Sequence, residues 1–380
     1  MSRTDDDRGE RSAMGTVTTV DYHTAGEPFR IVPEPPVDIP GTTVADRRAF
    51  AIRSAEVDGL RQLLCFEPRG HADMYGGFLV PPDDDGADFG VLFWHKDGFS
   101  TACGHGTMAL GVWAIESGLI RADDSGTTEV VIDVPSGRVR AAVHTDETGG
   151  VTSVDFVNVP SRLVATGLPV TTARGEASVD LAWGGALYAL VDGDALGITV
   201  EPDRLGELIA LGREVKAALA GHPATAHPSD DRLSGVYGTI IVNRLGTTDD
   251  GEVWHRNVTV FADGQVDRSP CGSGTAARIA ALSATGELDS GQTLLHESIV
   301  GTRFRARVLA ELDGGDGNGD SDGSREAGRT SGSGAGWGAG TSWGTAGGVV
   351  PLVTGTAHRV ATCTFEVDPR DDLVPGFVLR

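Results

Sequence analysis

The chain has 380 residues, of which 31 are basic and 54 acidic, and its formal net charge of −23 repels phosphate backbones and anionic lipids, excluding a nucleic-acid partner. With 39% hydrophobic residues it can build one large or two ordinary cores, while no apolar run reaches the roughly 18 to 20 residues of a membrane span. Lys96 and Lys216 are the only lysines and sit in no suggestive motif, so pyridoxal phosphate has no evident anchor. The acidic, lysine-poor composition fits a high-salt cytoplasm and fits high-GC coding bias equally well.

Residues 1–15 are polar and aperiodic, which predicts a disordered tail, and no apolar leader segment follows the first charges, which predicts a cytoplasmic protein with reduced thiols. Strand patterns follow at Thr16–Tyr22, Thr128–Val134, Val151–Val157, Thr239–Val242 and Val353–Val367. Helical periodicity marks Asp46–Leu64, Thr107–Ser117, Pro202–Ala220 and Thr275–Ala284, so the fold class is α+β rather than strict βαβ alternation. Residues 313–348 are Gly-, Ser- and Asp-rich and are expected to form a disordered surface insertion. Asp316, Asn318, Asp320 and Asp322 are spaced as in a calcium loop, but Ala327 stands where such a loop needs glutamate.

One short motif occurs twice, a domain's length apart: Cys103-Gly-His-Gly-Thr107 and Cys271-Gly-Ser-Gly-Thr275. Each precedes a helix-like run of small and apolar residues, which puts both cysteines at helix N-termini. Unpaired N–H groups there lower a thiol's pKa and bind carboxylate, and glycine lets a ligand approach the backbone. Two such ends facing one molecule would place a thiolate on one side of an α-carbon and a thiol on the other. That is the arrangement of a two-base racemase needing no cofactor and no metal. Asp267, four residues before the second thiol, is the natural acceptor for a substrate ammonium. Cys65 and Cys363 lie in apolar and alternating runs and are expected to be structural, and the four cysteines form neither a disulfide framework nor a zinc cluster.

These residues resemble the proline racemase family, within the wider group that includes diaminopimelate epimerase. The matching segments are Val20–Val32, Pro68–Gly76, Asp97–Thr107, Trp183–Tyr188, Phe261–Thr275 and Gly376–Arg380, in the family's order. The resemblance implies two pseudo-symmetric domains, each an antiparallel barrel-like sheet around a central helix, with the site between them. It places the first domain at 16–145 plus 354–380 and the second at 146–353 with the insertion inside it. It further implies that Cys103 and Cys271 are the acid/base pair and that Gly104, His105, Gly272 and Ser273 hold the carboxylate through their N–H groups. His105 and Asp267 would contact the ring nitrogen, and Phe261 would line the ring pocket, disfavouring a 4-hydroxyl. Ala102 and Ser273 depart from the methionine and threonine frequent at those positions.

The resemblance leaves the reaction open among proline racemisation, 4-hydroxyproline epimerisation and dehydration of trans-3-hydroxy-L-proline. Dehydratases of this family typically carry threonine in place of the second cysteine, so Cys271 favours racemisation, and proline racemase is the first reading. The dehydratase is the alternative, and a non-catalytic binding protein built around Trp337 and Trp343 is the remote one. The expected partner is a small molecule, proline or a hydroxyproline, and a homodimer is an allowed assembly. His23, His71 and His95 fall in family-like segments without an assigned role.

Overall fold

The structure, a computed structural model, describes residues 16–312, 347–368 and 370–379. The expected tail at 1–15 and nearly all of the 313–348 insertion, including Trp337, Trp343 and the aspartate run, lie outside the described residues.

The first series of elements is β1 (Thr16–Thr24), β2 (Glu27–Val32), α1 (Val44–Ala51), α2 (Ala55–Cys65), β3 (Gly76–Val80), β4 (Phe89–His95), β5 (Gly98–Phe99), α3 (Gly104–Glu116), β6 (Thr127–Val134), β7 (Gly137–Thr145) and β8 (Val151–Val157). The second is β9 (Arg162–Thr172), β10 (Gly175–Trp183), β11 (Leu187–Asp192), α4 (Leu205–Ala218), β12 (Val236–Thr247), β13 (Val253–Phe261), β14 (Gln265–Asp267), α5 (Gly272–Thr285), β15 (Leu294–Ser298), β16 (Arg303–Leu312) and β17 (Gly348–Gly355). A last strand, β18 (Ala357–Glu366), returns to pair antiparallel with β1.

The two series repeat one pairing scheme. In the first, β1–β2 is antiparallel, β2–β3 parallel, β3–β4 antiparallel, β4–β6 parallel, and β6–β7–β8 antiparallel. In the second, β10–β11 is antiparallel, β11–β12 parallel, β12–β13 antiparallel, β13–β15 parallel, and β15–β16–β17 antiparallel. Both parallel crossovers at the second step carry helices, α1 and α2 in one series and α4 in the other, as a parallel connection requires. β8 pairs with β7 on one side and with β17 on the other, joining the two series just beyond the 145/146 boundary expected from sequence.

Each half of the sheet wraps a helix that is buried on every face over most of its length. All residues of α3 from Gly104 to Ala114 are buried, as are all of α5 from Gly272 to Leu282, the signature of a central rather than a surface helix. Around α3 the core contains Phe29, Phe93, Ile132, Val143 and Phe156; around α5 it contains Tyr188, Leu190 and Ile240. The fold is thus mixed α+β with two central helices, as the sequence leads one to expect.

The periodic stretch Asp46–Leu64 resolves into two helices, not one. Thr43 and Asp46 form a reciprocal capping box at the start of α1, and the Ser54 hydroxyl accepts from the Val57 N–H to start α2 afresh. Among the described residues no helix is long and apolar enough to cross a membrane.

Candidate active site

Short strands aim the two halves of the site at each other. β5 leads through Ser100–Ala102 into Cys103 and α3, and β14 leads through Arg268–Pro270 into Cys271 and α5. The helix starts meet backbone to backbone: a methyl group added at Gly104 would lie 2.6 Å from the Gly272 Cα and 2.7 Å from the Ser273 nitrogen. Only glycine in both frames permits that approach. The N–H groups of Gly104, His105, Gly272 and Ser273 belong to first turns and have no acceptor within their own helices.

A narrow cavity of about 10 Å³, room for about one water, lies at this junction. Cys103, Gly104, His105, Phe261, Asp267, Cys271 and Ser273 all line it. Of the residues given a site role from sequence only Gly272 is not part of the lining, and it is the glycine pressed against Gly104.

The thiols are inequivalent. Cys103 caps α3 with extended backbone, and its sulfur accepts from the Gly106 N–H at 3.2 Å. Both ring nitrogens of His105 lie 3.5 Å from that sulfur. Cys271 has φ +66°, a left-handed conformation that strains any residue with a Cβ, and its backbone N–H donates to the Ser269 hydroxyl at 3.0 Å. The Tyr188 hydroxyl lies 3.8 Å from the Cys271 sulfur and 2.7 Å from the Ser273 hydroxyl.

Helix ends alone would lower both thiol pKa values, the expectation from sequence. The structure reverses it. Burial pushes the Cys103 thiol well up, and the charges of Asp267, Cys271 and Glu27 add to the rise against the Gly106 N–H. Burial likewise pushes Cys271 up, Asp267 adding to it, while the Gly274 N–H and the Tyr188 and Thr259 hydroxyls oppose. The helix end acts on these sulfurs, but desolvation by burial outweighs it.

Asp267 is buried, and one of its oxygens accepts from the Ser269 N–H at 2.8 Å and the Ser269 hydroxyl at 2.7 Å. Its other oxygen faces His105 Nδ1 at 3.9 Å. Burial holds His105 neutral, with Asp267 pulling the other way.

Sequence reasoning missed part of the wall. Tyr75, Tyr188, Tyr237 and Thr259 line the pocket, and the Tyr237 ring stacks on Phe261 at 5.7 Å. Tyr75 and Tyr188 fall inside segments that carry the family resemblance, which was the available signal; Tyr237 and Thr259 offered none. Glu27 is also new: fully buried, it accepts from the Arg268 N–H at 2.7 Å and so ties β2 to the segment bearing Asp267.

The three unassigned histidines separate. His95 is buried against Tyr75, Tyr237 and Phe261 behind the pocket. His23 accepts from the Gly26 N–H, and exposed His71 from the Asp73 N–H. Neither lines the pocket. Cys65 is buried with its thiol pushed up to about 12 by desolvation, and Cys363 lies half-buried on β18. Among the described residues no cluster of three or more metal-ligating side chains occurs.

The sequence matches the family described as proline racemase over residues 19–378. It is 40% identical over 370 residues to a trans-3-hydroxy-L-proline dehydratase of Burkholderia cenocepacia, covering 96% of this chain and 98% of that one. It is 41% identical over 367 residues to a 3-hydroxyproline 2-epimerase of Burkholderia multivorans, covering 96% and 98%. The fold matches the crystal structure of a hydroxyproline epimerase from Agrobacterium vitis, with bound trans-4-hydroxy-L-proline, at a TM-score of 0.79 and 28% identity over 96% of each chain. Two glycine-framed cysteines at abutting helix starts, on a doubled sheet-around-helix fold, therefore sit in a chain that belongs to the proline racemase family.

Proposed function

We propose that this chain dehydrates trans-3-hydroxy-L-proline, with Cys103 as the base. The observation that carries the reading is the single pocket into which Cys103, Cys271 and Asp267 all open. The choice of a 3-hydroxyproline rests on relatives at 40% and 41% identity, both named for that substrate. Proline racemisation, the first reading from sequence, gives way on that ground.

In trans-3-hydroxy-L-proline the carboxylate and hydroxyl lie on opposite faces of the ring, so the α-hydrogen and the hydroxyl share a face. One residue can therefore serve both. The Cys103 thiolate takes the α-proton while the first-turn N–H groups of α3 and α5 stabilise the carboxylate as it gains enediolate character. The electron pair forms the C2–C3 double bond, the C3–O bond breaks, and the Cys103 thiol returns its proton to the departing hydroxide as water. The ring enamine then tautomerises to the imine, and no electron acceptor is needed. Asp267 holds the ring ammonium, and Phe261 packs against the apolar edge of the ring.

A second reading has its own observation. Cys271 is a thiol where the family's dehydratases typically carry threonine, and from the other face it would reprotonate C2 to give cis-3-hydroxy-D-proline. Proton NMR in heavy water, with trans-3-hydroxy-L-proline, trans-4-hydroxy-L-proline and L-proline in separate tubes, tests both. Loss of water from the 3-hydroxy compound is the expected result. Deuterated cis-3-hydroxy-D-proline would establish the second reading, and reaction of L-proline alone would sink both.

A further inference from the structure

Arg278 lies on α5 about two turns beyond Cys271 and is only 6% exposed. Its guanidinium makes no hydrogen bond or ion pair among the described residues, and its Nε is fully shielded and unpartnered. The other buried arginines have partners: Arg30 pairs with Asp21 at 2.8 Å, Arg61 with Asp58 at 2.7 Å, and Arg47 donates to the Pro81 carbonyl at 3.1 Å. A buried cation without a partner is strongly destabilising, so this one calls for an explanation.

The guanidinium opens into a cleft of about 260 Å³ that shares no residue with the catalytic pocket. The cleft is also lined by Arg244, Asp180, Asp192, Ser178 and Glu176. Arg244 is already engaged, by Asp192 and by Glu287 at 3.0 Å. Asp180 accepts from the Gly167 N–H through one oxygen at 2.8 Å and leaves the other without a hydrogen-bond partner among the described residues. Burial, with Arg244 adding to it, lowers the Arg278 pKa only to about 10, so the group stays charged at neutral pH. Burial, with the charge of Arg278 adding to it, keeps His255 and His296 neutral, so neither supplies a counter-charge.

Among the described residues the cleft thus offers a cation without a partner, Arg278, and an Asp180 carboxylate oxygen without one, whose charge acts on Arg278. Phosphate or sulfate would meet Glu176, Asp180 and Asp192 as like charges, and a metal ion would meet Arg278. We propose that this cleft is a second binding site, distinct from the catalytic pocket, for a small amino-acid zwitterion whose carboxylate pairs with Arg278 and whose ammonium pairs with Asp180. A planar carboxylate matches the fork of a guanidinium, and the cleft is of a size for an amino acid rather than a larger ligand. Because α5 carries Cys271 at its start, an occupant here touches the same helix that positions the second thiol.

Equilibrium dialysis of the full chain against radiolabelled L-proline tests the site without depending on catalysis. The stoichiometry per chain should fall by one in Arg278→Met, and Asp180→Asn should weaken that same equivalent at least about tenfold while sparing any other. Should Arg278→Met fail to fold, Asp180→Asn, which removes no buried cation, decides alone. Equal stoichiometry and affinity in wild type and Asp180→Asn would overturn the proposal. So would displacement of the label by acetate as effectively as by unlabelled L-proline, since that would make the site one for a simple anion.

Discussion

The contact between the two helix starts makes Gly104→Ala a sharp test of how the site is held. The added methyl would sit 2.6 Å from the Gly272 Cα and 2.7 Å from its carbonyl carbon, both backbone atoms that no rotamer change can move. Carbon atoms pack at about 3.5 to 4.0 Å, so the two starts must part by about 1 Å. Each start carries one of the thiols and half of the N–H groups that face the pocket. A 1 Å misplacement of positioned groups lowers turnover by about 100-fold, and overpacking costs about 1 to 3 kcal/mol of stability. The expected outcome is a folded protein with Tm reduced by a few degrees and kcat/KM on trans-3-hydroxy-L-proline reduced by about two orders of magnitude. Gly272→Ala meets the Gly104 Cα at the same 2.6 Å and should behave alike. Wild-type kinetics in either variant, read alongside the melting curve, would refute the claim that this contact sets the geometry.

Cys103→Ser should abolish turnover by orders of magnitude without lowering Tm, because a serine hydroxyl is far too weak an acid to serve as the base; more than about a tenth of the wild-type rate would argue against that role. Cys363→Ser, on the half-buried outer strand, should leave kcat and KM unchanged. Burial lowers both His95 and His255 to about 3, so between that value and about 6.5 each binds a proton in the unfolded chain that it does not bind in the folded one, and its contribution to stability falls as pH falls. One unit below the unfolded value that contribution has lost about 1.4 kcal/mol, so the change in urea stability between pH 7.5 and pH 5.5 should differ by about 1.4 kcal/mol between wild type and His255→Gln, wild type losing more. The same pH dependence in both proteins would contradict it.

What the sequence disclosed was local. The paired Cys-Gly-X-Gly-Thr frames could be read because each encodes a complete helix start within five residues, and their duplication has a counterpart in a β-pairing scheme that occurs twice. Asp267 was legible because it precedes Cys271 by four residues on the strand that delivers it. The aromatic wall was not, since Tyr75, Tyr188 and Tyr237 come from three separated segments and share a pocket only through the parallel crossovers. Glu27 was equally hidden: its bond to the Arg268 N–H joins residues 241 positions apart. The thiol pKa values were misjudged for a related reason. Helix-end polarity can be read from a motif, whereas burial is a property of the assembled halves.

The most direct test of the mechanism is to follow trans-3-hydroxy-L-proline in heavy water with wild type, Cys103→Ser and Cys271→Ser side by side. With the α-hydrogen and the leaving hydroxyl on one face, Cys271→Ser should retain dehydration within about tenfold and lose any 2-epimerisation, while Cys103→Ser loses both. Dehydration that survives Cys103→Ser and vanishes in Cys271→Ser would contradict the assignment of Cys103 as the base.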